Sequence, residues 1–121
     1  MRLLLAEDEK ALSSALQVIL KHNNYSVDAV YNGQEAYDYI MAGVYDGVIL
    51  DVMMPKMDGF EVLNVMERKH LIEDIPVIMI SSEDSDVYVR RAYELGVSDY
   101  ISRPFAVSYT HLRAHETLSD L

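Results

Sequence analysis

At 121 residues, half of them hydrophobic and a quarter charged, the chain is one globular domain, long enough to bury a core and too apolar to be disordered. Twenty acidic residues against ten Lys and Arg give a formal net charge of −10, which opposes non-specific binding to nucleic acid or an anionic membrane and suits a protein that holds a cation. Cysteine is absent, which removes disulfides and thiolate metal sites; with no apolar run approaching the ~20 residues of a membrane span and no secretory pattern, the expectation is a cytoplasmic protein without membrane contact.

The first element is the run RLLLA at Arg2–Ala6, too short for a helix and ending in Glu7, Asp8 and Glu9. Leu12, Ala15, Leu16, Ile19 and Leu20 then recur at helical spacing, which predicts that Ser13, Ser14, Gln17 and Lys21 face outward. Asp8 is available to cap that helix, which stops near Asn23 and Asn24. Residues 25–30 (YSVDAV) alternate as a half-exposed strand. Asn32 followed three residues later by Glu35 is a capping-box-like start to a second helix running to about Ala42 and closed by Gly43.

The stretch at 47–59, GVILDVMMPKMDG, organises the rest. Val48, Ile49 and Leu50 read as a strand buried on both faces, and Asp51 leaves the core at its carboxyl end, the edge where open α/β sheets bind ligands. Pro55 stops the ladder, and Asp58-Gly59 makes a turn able to cap a third helix that buries Phe60, Leu63 and Met66. After Pro76 a fourth strand, VIMI, ends in Ser81 and Ser82. Glu83, Asp84 and Asp86 crowd the start of a fourth helix, which ends at Gly96, and residues 98–102 form a last strand before Arg103-Pro104-Phe105. Five alternations of strand and helix argue an α/β fold with a doubly wound, five-stranded parallel sheet.

If the first, third and fourth strands are neighbours, Glu7, Asp8, Asp51 and Ser81 meet at one pocket. Carboxylates a few Å apart repel, and a divalent cation resolves the repulsion; all-oxygen ligands with no His or Cys favour Mg2+. With Arg103 supplying a second positive charge, the site is suited to holding a tetrahedral anion against Asp51, and the chemistry is phosphoryl transfer onto a carboxylate. Each residue also has a plainer reading: Asp51 as a turn aspartate, Asp8 or Ser81 as helix caps, Tyr100 as a static half-buried aromatic, and Met53, Met54 and Met57 as loop packing.

The motifs LLLAEDE, VILDVMMPKMDG, PVIMISS and DYISRPF, taken together, resemble the receiver domain of two-component response regulators over residues 1–105. The resemblance implies a flavodoxin-like sheet in the order 2-1-3-4-5, with Asp51 as phosphoacceptor and Mg2+ held by Glu7, Asp8, Asp51 and the Met53 backbone carbonyl. It also implies that Ser81, Tyr100 and Arg103 contact the phosphoryl group or move with it. The expected partner is a sensor histidine kinase. Phosphorylation in the family biases a two-state surface around the fourth helix and fifth strand, which allows a homodimer through that face; the segment itself is not expected to bind nucleic acid. The closest branch is the receivers that precede winged-helix DNA-binding domains, so the implied function is a phosphorylation-activated switch for an output domain. A stand-alone receiver relaying phosphate or binding a target protein is the alternative.

The chain is not expected to be an enzyme beyond its own phosphorylation and hydrolysis. A Mg2+-dependent phosphohydrolase using Asp51 as nucleophile would place a second acid two residues on, where this chain has Met53. A flavodoxin-like cofactor binder would need a phosphate-cradling loop after the first strand, where Glu7, Asp8 and Glu9 stand instead.

Two features depart from the family. Arg103 replaces a lysine, with a bulkier planar fork expected to weaken or slow activation, and Ser82 adds a hydroxyl near the pocket mouth. Beyond Phe105 the family continues with a fifth amphipathic helix, whereas residues 107–117 (VSYTHLRAHET) resemble a translated transposase-based sequencing adapter. That resemblance implies a receiver at 1–105, a non-native tail at 106–121, and a native fifth helix missing or replaced. It also accounts for His111 and His115, whose i, i+4 spacing otherwise matches helical zinc ligands.

Overall fold

All five strands expected from the sequence form, each as the parallel neighbour of the next in space. The computed structural model describes residues 1–82 and 86–102. In chain order the elements are β1 (Arg2–Ala6), α1 (Lys10–His22), β2 (Ser26–Val30), α2 (Gly33–Ala42), β3 (Gly47–Asp51), α3 (Gly59–Arg68), β4 (Val77–Ser81), α4 (Asp86–Glu94) and β5 (Asp99–Ser102). The sheet order is β2-β1-β3-β4-β5. This is the doubly wound order 2-1-3-4-5, in which the chain runs from the centre to one edge and then returns to the other. Residues 103–121, including Arg103 and the expected replacement of the fifth helix, lie outside the described residues, as do Glu83 and Asp84.

The period-two alternation of the strands sorts the core into two layers. Leu4, Ala6, Val48, Leu50, Val77 and Met79 pack with Ala36 and Ile40 of α2 and Phe60, Leu63 and Met66 of α3. Leu3, Leu5, Ile49, Ile78 and Ile80 pack on the opposite face with Leu16 and Leu20 of α1. All five residues of β3 and all five of β4 are buried, as a central parallel strand requires. Each fully buried leucine contributes roughly 1.5–3 kcal/mol, so these two layers hold the strand ends in register. No helix among the described residues is long and apolar enough to cross a membrane.

The inward stripe of α1 differs from the sequence expectation. Ser13 is fully buried and Ala15 exposed, because the buried positions run Ser13, Leu16, Leu20. The small Ser13 side chain lets the helix lie close, and its hydroxyl oxygen accepts a hydrogen bond from Gln17 Nε2 at 3.1 Å. Asp8 does not cap α1 either. Glu9 occupies the cap position and makes no side-chain cap bond. The other helix starts follow the sequence: Asn32 accepts from the Glu35 amide at 2.8 Å, and Asp58 with Glu61 forms a complete capping box.

Three helices end on one device. In α1, α3 and α4 the residue two beyond the helix has a positive φ: Asn24 at 71°, His70 at 59° and Gly96 at 103°. Its amide and the next return to the last turn, as in His70 N to Glu67 O (3.1 Å) and Leu71 N to Met66 O (2.9 Å). Histidine takes this left-handed conformation at a steric cost that glycine lacks. His70→Gly is therefore expected to raise unfolding free energy by about 0.5–1 kcal/mol, read by urea denaturation; a loss of stability would contradict it.

At the amino ends of the strands Arg2 draws three segments together. Its guanidinium meets Asp28 Oδ2 at 2.8 Å and lies 5.2 Å from the centre of the Tyr45 ring, and its amide donates to Asp46 Oδ2 at 2.7 Å. Tyr45 donates its hydroxyl to the same Asp28 oxygen at 2.6 Å. Burial, then the bond to Asp28, pushes the Tyr45 phenol up to about 12 from 10.0. A folded value raised above the unfolded one gives stability that is complete below pH 10 and lost as pH climbs to about 12. Tyr45→Phe should make that alkaline fall in stability shallower; an unaltered slope in pH-resolved melts would rule the coupling out.

Candidate functional site

The register of the sheet builds the site. Ala6 pairs with Leu50, so Glu7 and Asp51 are the next residues on adjacent strands, and alternation carries both onto the face of Leu5 and Ile49. Both are fully buried, while Asp8 is exposed as the chain leaves β1. One carboxylate oxygen from each of Glu7, Asp8 and Asp51 lies within 4.8 Å of the other two. Two carboxylates about 4 Å apart repel by roughly 4 kcal/mol at an effective dielectric near 20, and burial adds desolvation.

Backbone amides offset part of this. The Glu9 amide donates to Glu7 Oε2 at 2.8 Å, and the Met53 amide donates to Asp51 Oδ1 at 3.3 Å. The first bond also explains why Glu9, and not Asp8, begins α1: the chain turns sharply at 7–9 and aims the Asp8 carboxylate into the cluster. The second sets the Met53 backbone beside Asp51 while its side chain points to solvent.

The loop between β3 and α3 is pressed against the strand it leaves. Gly59 N donates to Val52 O at 2.8 Å, and a Cβ on Gly59 would stand 2.2 Å from Asp51 O. Gly33, which opens α2, meets the other side of the loop: its amide donates to Pro55 O at 3.3 Å, and a Cβ there would overlap the Met57 carbonyl. Between them Lys56 takes a φ of 70°, a left-handed conformation at a non-glycine residue. The loop is thus held by backbone on both sides, and Gly59 packs directly on the Asp51 carbonyl.

Of the residues singled out in the sequence, Glu7, Asp8 and Asp51 come together directly. Ser81 follows Ile80, the register partner of Asp51, and is fully buried at the end of β4. Tyr100 is half-buried on β5 opposite Met79 and packs against the α2–α3 side of the core. Arg103 falls outside the described residues. Sequence reasoning missed Gly33 and Gly59 as parts of the site. The Asp-Gly pair signalled a turn, but nothing in a turn signal says which backbone lies behind it.

The donor set is hard oxygen throughout, with neither histidine nor cysteine, and clusters more negative charge than the Glu9 and Met53 amides offset. Such a set fits a small divalent cation.

Comparison with known proteins gives a consistent picture. The model of the response regulator receiver domain matches residues 3–115. The transcriptional regulatory protein DltR of Streptococcus agalactiae is 38% identical over 105 residues, covering 87% of this chain and 46% of that protein. Response regulator MprA of Mycobacterium avium is 35% identical over 107 residues, covering 88% and 46%. The chain spans about half the length of the curated relatives it matches. Among solved structures, the receiver domain of the Francisella response regulator 1452 superposes with a TM-score of 0.79 at 29% identity, over 95% of this chain and 93% of that one.

Proposed function

The chain belongs to the response regulator receiver domain family, and from that premise we propose that it is a phosphorylation-activated switch whose phosphoacceptor is Asp51. One observation carries the reading: Asp51 is the buried carboxylate at the end of the central strand, shared between the acidic cluster and the loop that leads into α3. The residues that would hold Mg2+ are Glu7, Asp8, Asp51 and the Met53 carbonyl. Bound there, the cation would supply charge neutralisation for the incoming phosphoryl oxygens.

The remaining work falls to the chain. A carboxylate oxygen of Asp51 attacks phosphorus, the bond to the donor breaks, and its electron pair leaves with the donor's imidazole nitrogen, giving an acyl phosphate. Ser81 donates its hydroxyl to a phosphoryl oxygen, Arg103 supplies a second positive charge, and Tyr100 follows the movement of Ser81. The phosphodonor is a sensor histidine kinase in the cytoplasm. The switched surface is α4 with β5, through which two copies associate. The match to about half of each relative, one of them called a transcriptional regulatory protein, supports an output domain over a stand-alone receiver, and the sequence motifs favour the winged-helix, DNA-binding kind. The acidic segment itself does not touch DNA. With Met53 where a phosphohydrolase places its second acid, turnover of phosphate esters should be poor.

The test is incubation with acetyl phosphate and Mg2+ followed by intact-mass and peptide analysis. The chain should gain one phosphoryl group on Asp51, labile to hydroxylamine, and Asp51→Asn should gain none. Modification at another residue, or equal modification of the Asn variant, overturns the assignment.

A further inference from the structure

Helix α4 is the least buried helix in the described part of the fold: of its nine residues only Ala92 is fully buried, and Val87 and Tyr93 are largely open to solvent. Two of its side chains nevertheless reach back to one residue. Tyr88 and Arg91, one turn apart and so on one face of α4, both meet Phe60. The Tyr88 ring lies 5.6 Å from the Phe60 ring at an interplanar angle of 58°, and the Arg91 guanidinium sits 4.4 Å above the Phe60 ring centre. The edge-to-face tilt and the cation over the ring are both attractive geometries. Phe60 is itself buried. It directly follows Gly59, whose amide holds Val52 O and whose Cα lies against the Asp51 carbonyl with no room for a Cβ. Backbone at Asp51 cannot move without moving Phe60.

We infer that Phe60, clasped by Tyr88 and Arg91, is a positioning element that transmits the state of the Asp51 pocket to α4 along the start of α3. This deepens the proposed switch and rests on it. The route differs from the one through Ser81 and Tyr100, because it leaves the pocket by the β3–α3 loop and reaches α4 through the Phe60 ring. Helix α4 is pinned to β5 separately by the Tyr93 hydroxyl on Asp99 Oδ1 at 3.2 Å. Coupling of this kind is reciprocal: what the pocket does to α4, α4 does to the pocket. Arg91 is exposed and stands in the last turn of α4, so a purely local role would be to complement the helix dipole. Arg90 is its exposed neighbour and reaches no ring among the described residues, which makes it the control.

The experiment is hydrogen exchange by mass spectrometry on the full chain, with and without Mg2+ and beryllofluoride. Compared are the parent, Arg91→Ala, Arg91→Lys, Phe60→Leu and Arg90→Ala. In the parent the ligands should change exchange across α4 by about fivefold or more. Arg91→Ala and Phe60→Leu should lose most of that change, Arg91→Lys should restore much of it by keeping a cation over the ring, and Arg90→Ala should match the parent. A parent-like α4 response in Arg91→Ala overturns the inference, and an equal loss in Arg90→Ala assigns the effect to the helix end. If beryllofluoride fails to raise the parent's thermal midpoint, the switch reading itself falls. The mechanical link is then decided without ligand: Arg91→Ala must speed exchange at residues 52–58, and unchanged exchange there overturns it.

Discussion

Asp51→Asn is expected to make the metal-free chain more stable by about 2 kcal/mol and to abolish its response to Mg2+. The gain comes from deleting the charge shared by two repulsive pairs in a cluster whose oxygens lie within 4.8 Å of one another. The asparagine oxygen can still accept the Met53 amide, so that bond is retained. The figure is below the full repulsion of roughly 4 kcal/mol per pair at 4 Å because the Glu9 and Met53 amides already offset some of it. Urea unfolding in chelator and in millimolar Mg2+ reads both halves. In chelator the variant should unfold at higher urea than the parent, and added metal should raise only the parent. A variant less stable than the parent in chelator would mean that the three carboxylates are not in conflict, and the case for a cation would lose its physical basis.

Gly59→Ala should act in the opposite direction, costing about 3 kcal/mol or more. Alanine is the better helix former by up to about 1 kcal/mol, so propensity alone predicts a gain. Space decides otherwise. The added Cβ would stand 2.2 Å from Asp51 O and 3.0 Å from Asp51 C and Val52 Cα, all backbone atoms that no rotamer change can move aside. Either α3 withdraws from the sheet, exposing Phe60, or the end of β3 shifts and carries Asp51 out of the cluster. In both cases Mg2+ should protect the variant less than the parent by more than the loss in stability explains. Stability within about 1 kcal/mol of the parent, with a full metal response, would show that the loop has slack the structure does not suggest.

Much of this architecture is visible in the sequence because the three central strands, β1, β3 and β4, are short apolar runs bounded by residues that do not continue them. Glu7 stops β1, Asp51 stops β3 and Pro76 precedes β4, so element order and the carboxylate-bearing edge follow from local pattern alone. The sheet order came from resemblance to a family, and pairing confirms it. What local pattern could not convey is distance between segments far apart in sequence. Gly33 against Met57, Gly59 against Asp51, and Phe60 between Tyr88 and Arg91 are all contacts of this kind. The errors have local causes. Ser13 was expected outside because hydroxyl residues favour solvent, yet a small side chain was what the close helix–sheet contact needed. Asp8 was expected as a cap because aspartate favours that position, yet its carboxylate faces the cluster and the turn falls one residue later. His70 at the end of α3 carries no mark that distinguishes it from a helical histidine.

The two ends of the sheet differ in kind. At one end Arg2, Asp28, Tyr45 and Asp46 tie three segments with opposite charges and a shared acceptor, Asp28 Oδ2. At the other, like charges are gathered against each other behind a loop that includes a left-handed lysine. Thermal opening of such a sheet is expected to be directional, starting at the acidic rim while the stapled rim persists longer. A cation at the rim would then remove the domain's weakest seam, so that a signalling site and a point of low local stability occupy the same place in the fold.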